Sequence, residues 1–165
     1  MKKFLGFFKD IAICFVIALL INKFIFMFAF VPTGSMKPTI MEKDRIIVDK
    51  ISLLFNEIER GDIVVFESEN DVVDEKLLVK RVIGLPGDTI EIQQGIVYIN
   101  DQEYKEEYVY YPDEQSMEKI TLGEEEYFML GDNRSNSYDA RFWNKKTVSK
   151  NSIIGYARLF RNFKK

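Results

Sequence analysis

The sequence predicts a mostly β protein: an N-terminal transmembrane helix followed by a compact antiparallel β domain. Three observations carry this expectation. An apolar run from Ile11 to Phe30 is broken only by Asn22 and Lys23. Beyond it, short β-branched stretches recur between Gly, Asp and Pro punctuation. No stretch after residue 35 carries the 3.6-residue spacing of an amphipathic helix. The expected division is residues 1–30, a cytoplasmic tip and signal-anchor, and residues 31–165, an extracytoplasmic domain.

Each element follows from its residues. A bilayer span needs ~20 residues at 1.5 Å rise each, which the run from Ile11 to Phe30 just supplies. Lys23 would snorkel to the outer interface among Phe24, Phe26, Phe28 and Phe30. Lys2, Lys3 and Lys9 favour a cytoplasmic N-terminus, so the predicted arrangement is single-pass in the cell membrane. The alternative is a cleaved leader, but Phe28-Ala29-Phe30 is not a small-x-small cleavage site. Strands are predicted at Asp44 to Lys50, Asp62 to Glu67, Lys76 to Ile83, Glu126 to Leu130 and Ile153 to Phe160. A hairpin is predicted from Thr89 to Gln93, turning at Gln94-Gly95 and returning over Ile96 to Asn100. The acidic, tyrosine-bearing stretch Asp101 to Gly123 reads as an exposed excursion.

Composition removes several chemistries. The net charge is -3, so no basic field points to nucleic acid. There is no histidine, which eliminates Ser-His-Asp and Cys-His catalysis and the common zinc sites. The single cysteine, Cys14, lies in the apolar run and has no intrachain partner. A nucleophile must then be Ser, Thr or a carboxylate, and a base must be Lys, Asp or Glu. No cofactor or metal is expected.

Val31-Pro32-Thr33-Gly34-Ser35-Met36-Lys37-Pro38-Thr39 follows the apolar run directly. Its prolines stop a helix and Gly34 permits unusual backbone angles, so Ser35 belongs on a tight turn. Such a turn can present a nucleophile or simply link an anchor to a domain. Lys80, in Leu77-Leu78-Val79-Lys80-Arg81-Val82-Ile83-Gly84, points opposite to Arg81 across a strand. A lysine amine titrates near ~10.4 in water, but burial disfavours its charge and can make it a base. The plainer reading is an exposed strand lysine. Gly131-Asp132-Asn133-Arg134-Ser135-Asn136-Ser137-Tyr138-Asp139-Ala140-Arg141 is dense in loop-forming polar residues, with Asp139 and Arg141, or Asp132 and Arg81, available to pair. Asn133-Arg134-Ser135 matches a glycosylation sequon, and Ser116-Met117-Glu118-Lys119 matches Ser-x-x-Lys; both read as chance.

Taken together, four ordered blocks resemble the bacterial type I signal peptidases, the leader peptidase family. They are Pro32 to Thr39, Gly61-Asp62-Ile63-Val64-Val65-Phe66, Lys80-Arg81-Val82-Ile83-Gly84-Leu85-Pro86-Gly87-Asp88, and Gly131 to Arg141. The resemblance implies a β domain of the signal-peptidase type and a membrane-bound serine endopeptidase with a Ser-Lys dyad. Its substrates would be exported pre-proteins, cut after small-x-small motifs close to the export translocon and the lipid bilayer. It implies Ser35 as nucleophile and Lys80 as general base. Thr33 and the Ser35 N–H would bind the oxyanion, and Ser137 would orient the lysine. Arg81, Asp132, Asp139 and Arg141 would be structural charges beside them. Ala140 departs from the pattern, standing where many members have serine. Two rival readings are a self-cleaving Ser-Lys protease like the SOS repressors and a membrane-tethered β module that binds secreted proteins.

Overall fold

In a computed structural model of the chain, which describes residues 2–68 and 76–159, helix α1 (Lys2–Phe24) leads into eleven strands. They are β1 (Phe26–Phe30), β2 (Arg45–Asp49), β3 (Ile63–Glu67), β4 (Leu77–Gly84), β5 (Thr89–Gln93), β6 (Ile96–Ile99), β7 (Gln102–Glu103), β8 (Met117–Thr121), β9 (Glu126–Leu130), β10 (Val148–Ser149) and β11 (Ile153–Leu159). They form a seven-stranded sheet in the order β1-β2-β11-β3-β4-β9-β10 and a four-stranded sheet in the order β7-β6-β5-β8. All paired strands are antiparallel.

Each strand predicted from the sequence is present to within a residue or so. The Gln94-Gly95 turn has φ of 49° and 81°, the double left-handed geometry that a tight hairpin requires. The last residue of the predicted terminal strand, Phe160, and the tail residues Arg161, Lys164 and Lys165 lie outside the described residues.

Two expectations are corrected. The run from Ile11 to Phe30 is not one helix. Helix α1 ends at Phe24, and Phe26–Phe30 pairs with β2, from Phe26 opposite Asp49 to Phe30 opposite Arg45. Met27 and Ala29 pack on a core of Val31, Met36, Ile40, Ile46, Val48 and Val65, while Phe28 and Phe30 face outward. Alternate residues thus find a sheet face, and that burial outweighs continuation of the helix. Residues 11–24 make only ~21 Å of helix, against a ~30 Å hydrocarbon core. Among the described residues, no helix is long and apolar enough to cross a membrane. The proposed aromatic cluster around Lys23 is likewise divided between the helix end and the strand.

Nor is Asp101 to Gly123 a mere exposed excursion. It contributes β7 and β8 to the second sheet. Met117 and Leu122 join the main core, alongside Ile90, Ile92, Val97 and Ile99 from the β5–β6 hairpin. Full burial of such a side chain contributes ~1.5–3 kcal/mol, so this stretch helps close the core.

Candidate functional site

The site forms where three segments meet: the turn after β1, the middle of β4, and the loop after β9. The turn is compact because Lys37 N donates to Gly34 O at 3.1 Å and Ile40 N to Met36 O at 2.9 Å, while Met36 and Ile40 are sealed in the core. Ser35 is thereby held inward, 8% exposed. On β4 the alternation is resolved: Lys80 is turned toward Ser35 and is 3% exposed, whereas Arg81 takes the other face. Lys80 Nζ donates to Ser35 Oγ at 2.8 Å. Both line a cavity of about 240 Å³ whose walls include Phe28, Ala29, Val65, Leu78 and Val79. Thr33 is exposed and lines the same cavity.

The third segment grips the first. Asn133 N donates to Ser35 O and Asn133 Nδ2 to Gly34 O, both at 3.0 Å. Gly131 is required by close approach: a Cβ there would lie 2.2 Å from Ser137 Oγ and 2.6 Å from Ser35 O. Ser137 is buried, and its Oγ has no hydrogen-bond partner among the described residues. The expected bond from Ser137 to the Lys80 amine is therefore not made in this arrangement, although the hydroxyl lies against the Ser35 turn. Ala140 is fully buried in the main core near Trp143, so the departure from the family pattern is met by packing.

Both candidate ion pairs are formed. Asp139 accepts from Arg141 Nε at 2.7 Å and Nη2 at 2.9 Å, and from Gly131 N at 3.0 Å. Asp132 accepts from Arg81 Nε at 2.8 Å and Nη2 at 2.6 Å, and from the Thr39 hydroxyl. Burial lowers the Arg81 pKa, but its bonds to Asp132 and that carboxylate's charge outweigh the loss, and the net shift is upward. The guanidinium also lies 3.9 Å from the centre of the Tyr108 ring.

Sequence reading missed five participants: Thr39, Asn133, Glu106, Tyr108 and Asp113. Arg134 reaches Glu106 Oε1 at 2.6 Å and Gly131 O at 3.1 Å; Arg141 also pairs with Asp113. Tyr108 donates to the same Glu106 oxygen at 2.6 Å. Burial first, then the Glu106 charge, raises the Tyr108 hydroxyl well above its ordinary pKa and keeps it a donor. Thr39 and Asn133 lie within blocks already singled out but carried no assigned role, whereas Glu106, Tyr108 and Asp113 lie in an acidic, tyrosine-bearing run where no local pattern singles them out. The sequon and the Ser-x-x-Lys match carry no site. Asn133 and Arg134 are buried in hydrogen bonds, while Ser116 caps Gln94 N and Lys119 pairs with Asp101. Among the described residues, no cluster suited to holding a metal is present.

Residues 4–161 match the family described as "Signal peptidase, peptidase S26". The chain belongs to this family. The "Signal peptidase I" of Leptolyngbya laminosa is 40% identical over 155 residues, which cover 90% of this chain and 75% of the relative. The "Signal peptidase I S" of Bacillus subtilis is 36% identical over 151 residues, covering 85% and 79%. The crystal structure of a signal peptidase I from Enterococcus faecalis superposes with a TM-score of 0.51 at 30% identity, covering 61% of this chain and 97% of that one. The fold is thus that of signal peptidase I, and the chain is a peptidase, a hydrolase of family S26.

Proposed function

We propose that this signal peptidase cuts exported pre-proteins with Ser35 as nucleophile and Lys80 as general base. The observation that carries the reading is the 2.8 Å contact between Lys80 Nζ and Ser35 Oγ at the foot of an apolar cavity. Burial favours the uncharged amine that a base must be. The amine takes the Ser35 proton as Oγ bonds to the scissile carbonyl carbon. The Ser35 N–H and the Thr33 hydroxyl stabilise the oxyanion; one such donor typically supplies ~3 kcal/mol. Collapse of the intermediate breaks the C–N bond, and the Lys80 ammonium returns its proton to the leaving amine. A water then gives a proton to Lys80 and attacks the acyl carbon. Collapse of this second intermediate breaks the acyl C–Oγ bond, and the Lys80 ammonium returns its proton to Ser35 Oγ as the acid leaves. Ser137 packs its hydroxyl against Gly131 beside the Ser35 turn, and the Arg81–Asp132 and Asp139–Arg141 pairs hold the loop.

The cavity of about 240 Å³, bounded by Ala29, Val31 and Leu78, suits small side chains before the cut. Helix α1 attaches the domain to a bilayer: Phe8, Ile11, Ile13, Phe15, Ile17 and Leu19 along it are exposed. In this reading its lysine-bearing start is cytoplasmic and the β domain is extracytoplasmic, near the export machinery. Snorkelling by Lys9 and local thinning would accommodate the short apolar length. The boundary between anchor and catalytic domain falls at Ile25.

The test is cleavage of a pre-protein bearing an Ala-x-Ala site by detergent-solubilised wild type and Ser35→Ala, with lipid added. Wild type is expected to cut at that site and Ser35→Ala to be inactive. Equal cutting by both would rule out Ser35 as nucleophile.

A further inference from the structure

Two of the three segments that meet at the site are tied to one carboxylate far away in sequence, the loop after β9 through Arg134 and strand β4 through Tyr108, whose ring lies against Arg81. Glu106 lies in the stretch between β7 and β8, and its side chain is 7% exposed. One oxygen, Oε1, accepts from both Arg134 and Tyr108. Arg134 donates in turn to Gly131 O, beside Asn133, which holds the Gly34 and Ser35 carbonyls. Tyr108 offers its ring to Arg81, the strand neighbour of Lys80, and Arg81 binds Asp132 in the same loop. A buried guanidinium needs a fixed counter-charge, and a fixed counter-charge fixes the loop that carries it.

We infer that Glu106 is a positioning residue, which registers the Ser35 turn and the Lys80 strand against each other through Arg134 and Tyr108. The inference rests on the Ser35–Lys80 reading above. Glu106 touches no reacting atom. It acts by holding the Gly131 loop at the depth where Asn133 grips the turn, and by holding Tyr108 beneath Arg81. A donor and acceptor 2.8 Å apart tolerate little displacement before proton transfer slows. The charged groups facing Glu106 are Arg134 and, beyond the Tyr108 ring, Arg81.

The experiment compares wild type, Glu106→Gln, Glu106→Ala and Tyr108→Phe in the full-length, lipid-supplemented enzyme, with Ser35→Ala as reference. Cleavage kinetics, pH profiles and thermal midpoints are read together. Glu106→Gln keeps the shape and an acceptor oxygen, so it is the variant expected to remain folded if Glu106→Ala does not. For Glu106→Gln, kcat should fall about tenfold with KM within about twofold. The acidic limb of the pH profile should move to higher pH, because a less enclosed Lys80 amine holds its proton more readily. Tyr108→Phe keeps the ring and loses only the bond, and should lie between Glu106→Gln and wild type. Wild-type kcat and an unmoved acidic limb in folded Glu106→Gln would overturn the inference. A loss explained wholly by a smaller folded fraction would do the same. Cutting by Ser35→Ala would instead overturn the reading on which it rests, so the two failures are distinguishable.

Discussion

The two sheets of this molecule treat polar side chains in opposite ways. Among the described residues nine buried polar side chains stand out, and eight of them, Ser35, Lys80, Asp132, Asn133, Arg134, Ser137, Asp139 and Arg141, surround one corner of the seven-stranded sheet. Only Asp88 lies elsewhere, where it caps the turn after β4 by accepting from Leu85 N and pairs with Arg60. The β5–β6 hairpin of the four-stranded sheet is built instead from Ile90, Ile92, Val97 and Ile99 inward, with Thr89, Glu91, Gln93, Ile96 and Tyr98 on the other face. Burying charge costs several kcal/mol per ion before pairing offsets it. Concentrating that cost in one corner marks where geometry is held for chemistry, whereas the hairpin is held for stability alone.

That contrast predicts that activity and stability can be separated in both directions. The largest effect belongs to Lys80→Met. Methionine matches the lysine stem in length and needs no solvation, so the folded state should keep its stability within about 1 kcal/mol. Cleavage should nevertheless fall by ~10⁴-fold or more, because the amine 2.8 Å from Ser35 Oγ, the general base of the proposed mechanism, is removed. Denaturant midpoint and pre-protein cleavage, measured on the same preparation, check this. Residual activity within tenfold of wild type would break the assignment of chemistry to this corner.

The opposite separation is expected for Ile90→Ala in the hairpin. Ile90 is fully buried, facing Ile99 on one side and Ile120 on the other. Its truncation should cost ~2–5 kcal/mol, seen as a lower urea midpoint. The kcat of the molecules that remain folded should be that of wild type. A fall in kcat at full folding would show that the second sheet also tunes the site, as the Glu106 inference would allow only for its β7–β8 connection.

What could be read in the letters follows the range of each interaction. Strands β2 to β6 were legible because alternation and turn residues are local: Gln94-Gly95 needs no partner to declare its geometry. The Arg81–Asp132 and Asp139–Arg141 pairs were legible because motif density drew attention to their neighbourhood. Strand β1 was hidden because Phe26-Met27-Phe28-Ala29-Phe30 is apolar on both faces, and so continues the helical run without a change of period. Its alternation exists only against β2. Glu106 was hidden among Glu103, Glu107 and Glu114, since its selection by Arg134 spans 28 residues of sequence. Ser137 shows the converse: it was found from its motif, but its hydroxyl lies unbonded against Gly131 rather than on the amine.

The smallest effect is expected at Lys119, and it tests whether charge as such, or charge in a buried corner, matters. Lys119 on β8 pairs with Asp101 and stands 3.9 Å from Glu91, with its side chain about half exposed. The Asp101 hydrogen bond, then its charge, raises the Lys119 pKa. The sign follows: a raised lysine pKa contributes stability that is complete at neutral pH and is lost only as pH rises through the folded value, above ~10.4. At pH 7, Lys119→Ala should move the urea midpoint slightly at low salt and not at all in 0.5 M salt, where the screening length falls below ~5 Å. Glu106→Gln, which breaks a charge pair of similar distance inside the corner, should be less sensitive to salt because both partners are largely withdrawn from solvent, Arg134 3% and Glu106 7% exposed. A Lys119→Ala shift as large as that of Ile90→Ala, or one that persists in salt, would mean that the second sheet also depends on its ion pairs. The division between a charged corner for chemistry and an apolar hairpin for stability would then fail at the hairpin.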